Sequence, residues 1–434
     1  MSGARLFLAL LLSLWVFMPM SYANDKMAEP TVKPLQMVSS VSVSTVDHEG
    51  LSLSLGRATL TMRERDPQFS QLAARLLNYL TEGEMADRYY WTTFKKQAVE
   101  MQQARLNDGL PTDKKFSRLR DVFVRRADNV AVSFLERDRI HSGGDSPAGD
   151  LHSVYGRNID TATGQYLTMD EVFTGIEELA GAIEAQLRRD YPDAPFIGNK
   201  DLNVAELLRA GERELTARGG GIMAAEVHEG VGTWTLESRG ATFYFNPPSL
   251  GAGRDGIYAA TILFDEYPRL FREKYRRAAP GYCIEIVPGI PVRSVAGDGS
   301  GVTLGIYEND AGFYIASGSW NYQDVPTAKE PRALLVCPAD GGAYLYMDAV
   351  KPDQQFPWHE LRIFDLKATP RDKKTDIHHT LLASEITAIN KTWNIMSDPN
   401  RFFLNDDRPE VVGSNPLANP YRVGSDGMPA RIGE

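Results

Sequence analysis

The chain has 434 residues, 43% of them apolar and 24% charged, and a formal net charge of −10. That length exceeds one ordinary domain, and that composition is globular rather than disordered or fibrous. The acidic balance argues against a nucleic-acid partner, because phosphate backbones need a basic face, and it favours the approach of cationic partners.

Residues 1–5 carry one positive charge, 6–18 form an uncharged apolar run, and Ser21 and Ala23 supply small residues at a cleavage site. This is the pattern of a secretory signal peptide over 1–23, with a core short for a membrane span. It predicts export, periplasmic or extracellular. No later run is long and apolar enough to span a membrane. Residues 24–37 are polar, contain Pro30 and Pro34, and read as a linker.

Residues 38–45 and 51–62 alternate apolar and polar side chains around a turn at 47–50, which predicts two strands. Asp66 and Pro67 then suit a helix N-terminus. Leu72, Leu76 and Leu80 continue at helical spacing, and the same rhythm runs over 82–106 through Tyr89, Phe94 and Met101, as one long or two joined helices. Residues 121–137 return to strand texture, followed by a glycine-rich turn at 142–149. A strand over 153–159 leads into a turn from Asp160 to Gly164, and Thr168 caps a short helix carrying Met169, Val172 and Phe173. Helices are expected over 176–189 and 204–218, strands over 234–236, 241–245 and 258–264, and a closing helix over 265–277.

From residue 282 short strands alternate with Gly, Asn, Asp and Pro turns, the texture of an all-β module. A terminal helix is expected over 377–393 and an irregular tail over 397–434. The predicted fold class is therefore α+β: an antiparallel sheet with packed helices in two lobes (38–130 and 131–277), then a small all-β sandwich or barrel (278–370), then a helix and tail (371–434). Cys283 and Cys337 both fall in the β-module. They either pair or remain buried thiols, and an oxidising compartment favours the disulfide.

Motifs for chemistry are sparse. His141, Asp145, Asp150 and His152 crowd one segment but lack zinc or EF-hand spacing, and read as a solvated turn. His378 and His379 are adjacent and cannot chelate as an i,i+4 helical pair would. The glycines at 219–221 miss the dinucleotide fingerprint, and Ser300 misses the nucleophile elbow. No metal site, cofactor or catalytic residue is assigned. Aromatic residues are the remaining functional material: Trp320, Tyr322, Trp358, Tyr90 and Trp91 are the candidate contacts for stacking on sugar or for a protein partner.

Two stretches carry a resemblance. Gly143, Gly144, Tyr155, Asn158, Asp160, Thr163, Gly164, Leu167, Thr168, Asp170 and Phe173 form the first. The run from Trp234 to Phe245, with a loop, a strand and the segment at Tyr267 behind it, forms the second. Together they resemble the RsiV/PdaC type of secreted module, over roughly residues 38–277. This module occurs in the extracytoplasmic half of a lysozyme-sensing anti-sigma factor and in the non-catalytic N-terminal half of a peptidoglycan deacetylase. Many members have Gly-Gly-Ala-His at the first turn, where this chain has Asp145 and Ser146 after Gly143 and Gly144, so no role tied to that histidine carries over. Asp406 and Asp407 stand without the histidine pair of the deacetylase half, so that catalytic domain is not expected.

The resemblance implies a non-catalytic binding protein of the cell envelope, recognising a cell-wall glycan or a cationic wall-active protein such as lysozyme. The competing expectation is a wall hydrolase or deacetylase-related enzyme, with a carboxylate site between modules near 145–150 or 226–229.

Overall fold

The computed structural model describes residues 31–62, 66–109, 115–141, 151–199, 202–217, 232–247, 250, 256–277, 279–295, 301–309, 312–317, 320–325, 330–339, 341–350, 358–366, 381–389, 391–394, 399, 402–406 and 420–433. The signal-type segment, the turn at 142–149, and the segments at 219–221, 226–229 and 378–379 lie outside them. All the sheets belong to one unit, Val32–Glu434, and the architecture is α+β.

Glu49 and Gly50 both take positive φ, 51° and 79°. Two such residues make the tight turn whose twist suits a hairpin. It joins β1 (Met37–His48) to β2 (Leu51–Met62), which pair antiparallel along their whole length with no register shift. The Asp66 side chain accepts from the Gln68 amide at 3.0 Å and caps a 3-10 turn at Pro67–Phe69. That turn feeds one continuous helix, α1 (Ser70–Asn107). Leu72, Leu76, Tyr79, Tyr90, Phe94 and Ala98 are its buried stripe.

The stretch 121–137 is part of two strands, not one. Asp128 accepts from the amides of Val130 and Ala131, and this turn separates β3 (Lys115–Ala127) from β4 (Ala131–His141). With β5 (Leu151–Asp160) they complete a mixed sheet ordered β1-β2-β3-β4-β5, in which β2 and β3 run parallel.

After β5 the Asp160 carboxylate accepts from the amides of Ala162 and Thr163, each at 3.0 Å, and Gly164 turns the chain at φ +65°. The Glu171 carboxylate accepts from the Thr168 amide at 2.8 Å, which starts α2 (Met169–Val172). The helices α3 (Ile176–Asp190) and α4 (Val204–Ala217) pack on a second sheet, β6 (Gly232–Leu236), β7 (Gly240–Phe245) and β8 (Tyr258–Leu263). Phe173 lies at the centre of this core, with ring centroids 5.1 Å from Trp234, 5.6 Å from Phe243 and 5.1 Å from Phe271. The expected closing helix breaks into a 3-10 turn at Pro268–Leu270 and a single turn, α5 (Glu273–Arg276). Pro268 cannot donate inside a helix, and Phe271 instead bridges to Phe173 in extended form.

The remainder is all-β. One sheet is ordered β17-β16-β15-β14-β9, from β9 (Tyr282–Ile286), β14 (Arg332–Cys337), β15 (Tyr344–Val350), β16 (Trp358–Asp365) and β17 (Leu381–Ile389). A second contains β10 (Val292–Val295), β11 (Gly301–Asn309), β12 (Gly312–Ser317) and β13 (Trp320–Val325). Ile284, Leu335 and Leu345 of the first pack with Leu304, Ile306 and Ile315 of the second, so the module is a sandwich. A third sheet, β18 (Lys391–Asn394), β19 (Phe402–Asp406), β20 (Pro420–Val423) and β21 (Pro429–Arg431), brings Val423 against Tyr346 on the outer face.

Three expectations are corrected here. The described part of 377–393 is strand, because β16 offers an edge and Ile386, Thr387 and Ile389 suit it. The tail carries three strands. The cysteines form no disulfide: β9 and β14 are neighbours, but Cys283 packs with Val336 on the outer face and Cys337 with Tyr282 on the sandwich face. Side chains on opposite faces of one sheet cannot meet.

Candidate functional site

The five aromatic candidates do not form one exposed patch. Tyr90 is 1% exposed, which corrects its reading as a surface contact. It lies on the core face of α1, and the guanidinium carbons of Arg118 and Arg120 sit 4.1 and 4.3 Å from its ring centroid. Trp91 is half-buried beside Phe94, with the Lys95 ammonium 5.8 Å from its ring. Trp320 and Tyr322 occupy the edge strand β13. Tyr322 is in register with Ile315 and Trp320 with Ser317. Trp358 opens β16, in register with Ile389 of β17. Of the five, Tyr90 lies in the interior and Trp91 at its margin.

The chemistry that sequence reasoning missed is a buried charge network. Arg125 is fully buried. Its guanidinium donates twice to the Glu237 carboxylate and once, at 2.7 Å, to the Glu285 carbonyl. The Glu285 carboxylate in turn accepts from the Val124 amide at 2.6 Å and from Arg332. Burial alone would lower the Arg125 pKa, but Glu237, with Tyr244 and Glu285, together outweigh it and the pKa rises, so the group stays charged. One side chain thereby ties β3 to the end of β6 and to β9. Arg126 reaches Asp128 and the carbonyls of Tyr275 and Arg277. Two consecutive arginines directly after the apolar run Val122–Val124 are the local sign of this junction.

A second network fills the middle of the α1–sheet interface, between two apolar clusters. Glu136 accepts from the Tyr79 hydroxyl and, at 2.9 Å, from Arg157. Burial and the neighbouring Glu136 carboxylate push the Tyr79 pKa well up. Asp138 accepts from Arg118 and lies 3.4 Å from Arg120. The sequence spacing of Arg118, Arg120, Glu136 and Asp138 would have marked one face of a hairpin, had the turn at Asp128 been recognised.

These carboxylates are already held by guanidinium groups. Such an arrangement orients strands; it does not present an acid or base to a substrate. Among the described residues no group of three His, Cys, Asp or Glu could hold a metal ion. The residues 145–150 and 226–229 of the hydrolase reading lie outside the described set. No helix among the described residues is long and apolar enough to cross a membrane.

An apolar groove of about 380 Å³ lies beside the first half of α1. Met62, Pro67, Ala73, Leu77 and Leu80 line it, with Asp66 and Ser70 at one end. Leu77 is 61% exposed. The opposite flank of the helix is occupied: Arg75 donates to the Gly164 carbonyl at 2.8 Å and covers the Tyr166 ring.

No family model matches the chain, and no curated protein matches it. Two solved structures that it is similar to are members of the DUF3298 family. One, from Bacteroides fragilis, has a TM-score of 0.38 and 14% identity over 56% of this chain and 96% of its own. The other, from Pseudomonas aeruginosa PAO1, has a TM-score of 0.33 and 13% identity over 57% of this chain and 98% of its own.

Proposed function

We propose that the chain is an exported, non-catalytic binding protein of the cell envelope. Its partner is a cationic wall-active protein of the lysozyme kind, or a wall glycan. One observation carries the preference for a cationic partner. The buried charges balance among the described residues: Arg57, Arg120, Arg125, Arg126, Arg137 and Arg157 stand against Asp128, Glu136, Asp138, Asp160, Glu237 and Glu285. The net charge of −10 is therefore carried outside that buried set, where it can steer a partner. The signal-type segment supports export, and the resemblance of 38–277 to the RsiV/PdaC type supports the envelope setting.

The test is binding of the purified chain to lysozyme and to isolated peptidoglycan, at about 20 mM and about 150 mM salt. Steering between exposed charges is screened over that range. The expected result is saturable lysozyme binding that weakens several-fold with salt. Absence of binding to both at low salt would overturn the proposal. Turnover of peptidoglycan by the purified chain would overturn its non-catalytic part.

A further inference from the structure

We infer that two copies of this chain pair through β1, edge to edge and antiparallel, with the exposed flanks of their α1 helices on the same side of the joined sheet. Among the described residues the strand order gives β1 a neighbour strand on one side only, whereas β5 at the other edge is covered by β6. An exposed edge is a template for another strand, and natural edges are usually blunted by charges, proline, a bulge or shortness. From Met37 to Val46 this strand has no charge and no proline. It is twelve residues long and runs unbulged against β2. Its second half is exposed on both faces: Val43 is 62% and Val46 37% exposed, and they alternate in direction.

The helix supplies the second half of the surface. Arg75 holds one flank of α1 against the turn after β5, so Ala73, Leu77 and Leu80 lie on the other flank, toward the β1 side. A two-fold axis normal to the sheet would set strand against strand and bring these flanks to face each other. With strands about 4.8 Å apart, helices seated over the two β2 strands would be about 14 Å apart, a gap that Leu77 from each copy can enter. The seam, about 40 Å long for twelve residues and about 20 Å deep including the helix, offers on the order of 800 Å² per copy, the size of a stable interface. A foreign extended peptide would cover β1 but leave the helix flank bare. Only a second copy brings a strand and an apolar helix flank in the same relation.

The experiment is sedimentation velocity of the full chain from about 0.5 to 100 µM, with the variants Val43→Lys and Leu77→Glu. Both side chains are mostly exposed, so the variants should fold, and circular dichroism melting checks this. The expected result is conversion from monomer to a dimer of twice its mass, with dissociation at least about tenfold stronger in each variant and melting unchanged. Val43→Lys places two ammonium groups near the axis, and Leu77→Glu two carboxylates across the seam. A wild-type chain that stays monomeric throughout overturns the inference, whether or not a foreign strand binds there, and so does a dimer indifferent to both variants. Lysozyme binding is read separately, so failure of the dimer leaves the proposed function standing or falling by its own assay.

Discussion

At the scale of single residues, Arg125 decides more than any other side chain. It is buried between two acidic residues far away in sequence, and it stays charged because Glu237 is there. Removing one partner of such a pair strands the other as a buried charge, at about 3–5 kcal/mol, while replacing both with apolar groups is often near neutral. Arg125→Met should therefore lower urea stability by that amount, and Arg125→Met with Glu237→Leu should recover most of it. Urea melts of the two variants distinguish this from simple loss of packing, which would make the double variant worse.

Asp160 gives a pH prediction of definite sign. Burial pushes its pKa up, but the hydrogen bonds from Lys274 and the Thr163 amide more than reverse this, and the pKa ends below the usual carboxylate value. The folded state thus holds its proton less tightly than the unfolded state. Its contribution to stability is present above the unfolded pKa, near 4, and is lost as pH falls through the lower folded value. Asp160→Asn should flatten the fall in melting temperature below about pH 4. Glu212 has the opposite sign. Burial first, then Asp170 and Glu171, raise its pKa while it accepts from the Met169 amide. Its ionisation on raising pH is penalised in the fold, so Glu212→Gln should stabilise at pH 7 and make little difference near pH 3.

At the scale of elements, β5 and β6 meet without a backbone ladder. Side chains make the seam: Asn158 donates to the Trp234 carbonyl at 3.0 Å and accepts from the Leu236 amide at 2.7 Å, and Asn246 both donates to and accepts from the backbone of Val154 at 2.8 Å. The approach is close because Gly156 has no side chain; a Cβ there would lie 1.8 Å from the Trp234 carbonyl oxygen. Backbone cannot yield as a flexible side chain does, so Gly156→Ala should force the two sheets apart and cost more than about 3 kcal/mol, beyond ordinary surface substitutions. Urea melts measure it, and hydrogen exchange should show the loss concentrated in β5 and β6.

This seam also shows what the sequence made legible. Elements with local punctuation could be placed from their residues: the hairpin at Glu49 and Gly50, the Asp66 cap, the Asp160 turn, the Thr168 start, and the strands around Phe243. Elements fixed by distant partners could not. Residues 381–389 have helical and strand character together, and the free edge of β16 settles them as strand. The cysteines' separation could be counted in sequence, but which face of the sheet each occupies depends on the register of β9 with β14. The Arg125 junction joins residues more than a hundred positions apart. The aromatic candidates were chosen for residue type, and the periodicity of α1 puts Tyr90 on its buried stripe.

At the scale of the whole molecule, the boundary expected near residue 277 is a change of texture but not a gap in the structure. The Glu285 carboxylate takes the Val124 amide and the Glu285 carbonyl takes Arg125, both from the first sheet. Glu330 binds Arg137 and Arg139 of β4. Val287 and Ile290 pack with Leu135, Val154 and Tyr244. A chain ending at residue 277 would leave the Val124 amide and part of the Arg125 guanidinium without acceptors and expose that apolar cluster. Each unsatisfied buried group costs about 1–3 kcal/mol, and more where it is charged. The α+β part expressed alone should therefore melt at a clearly lower temperature than in the full chain, and bind a dye for exposed apolar surface. Extending it to residue 295 restores Glu285, Val287 and Ile290 without the rest of the sandwich. If the junction is the cause, that extension should recover part of the lost stability; if 38–277 melts as it does in the full chain, the two regions are independent and the contacts at Glu285 carry no stability.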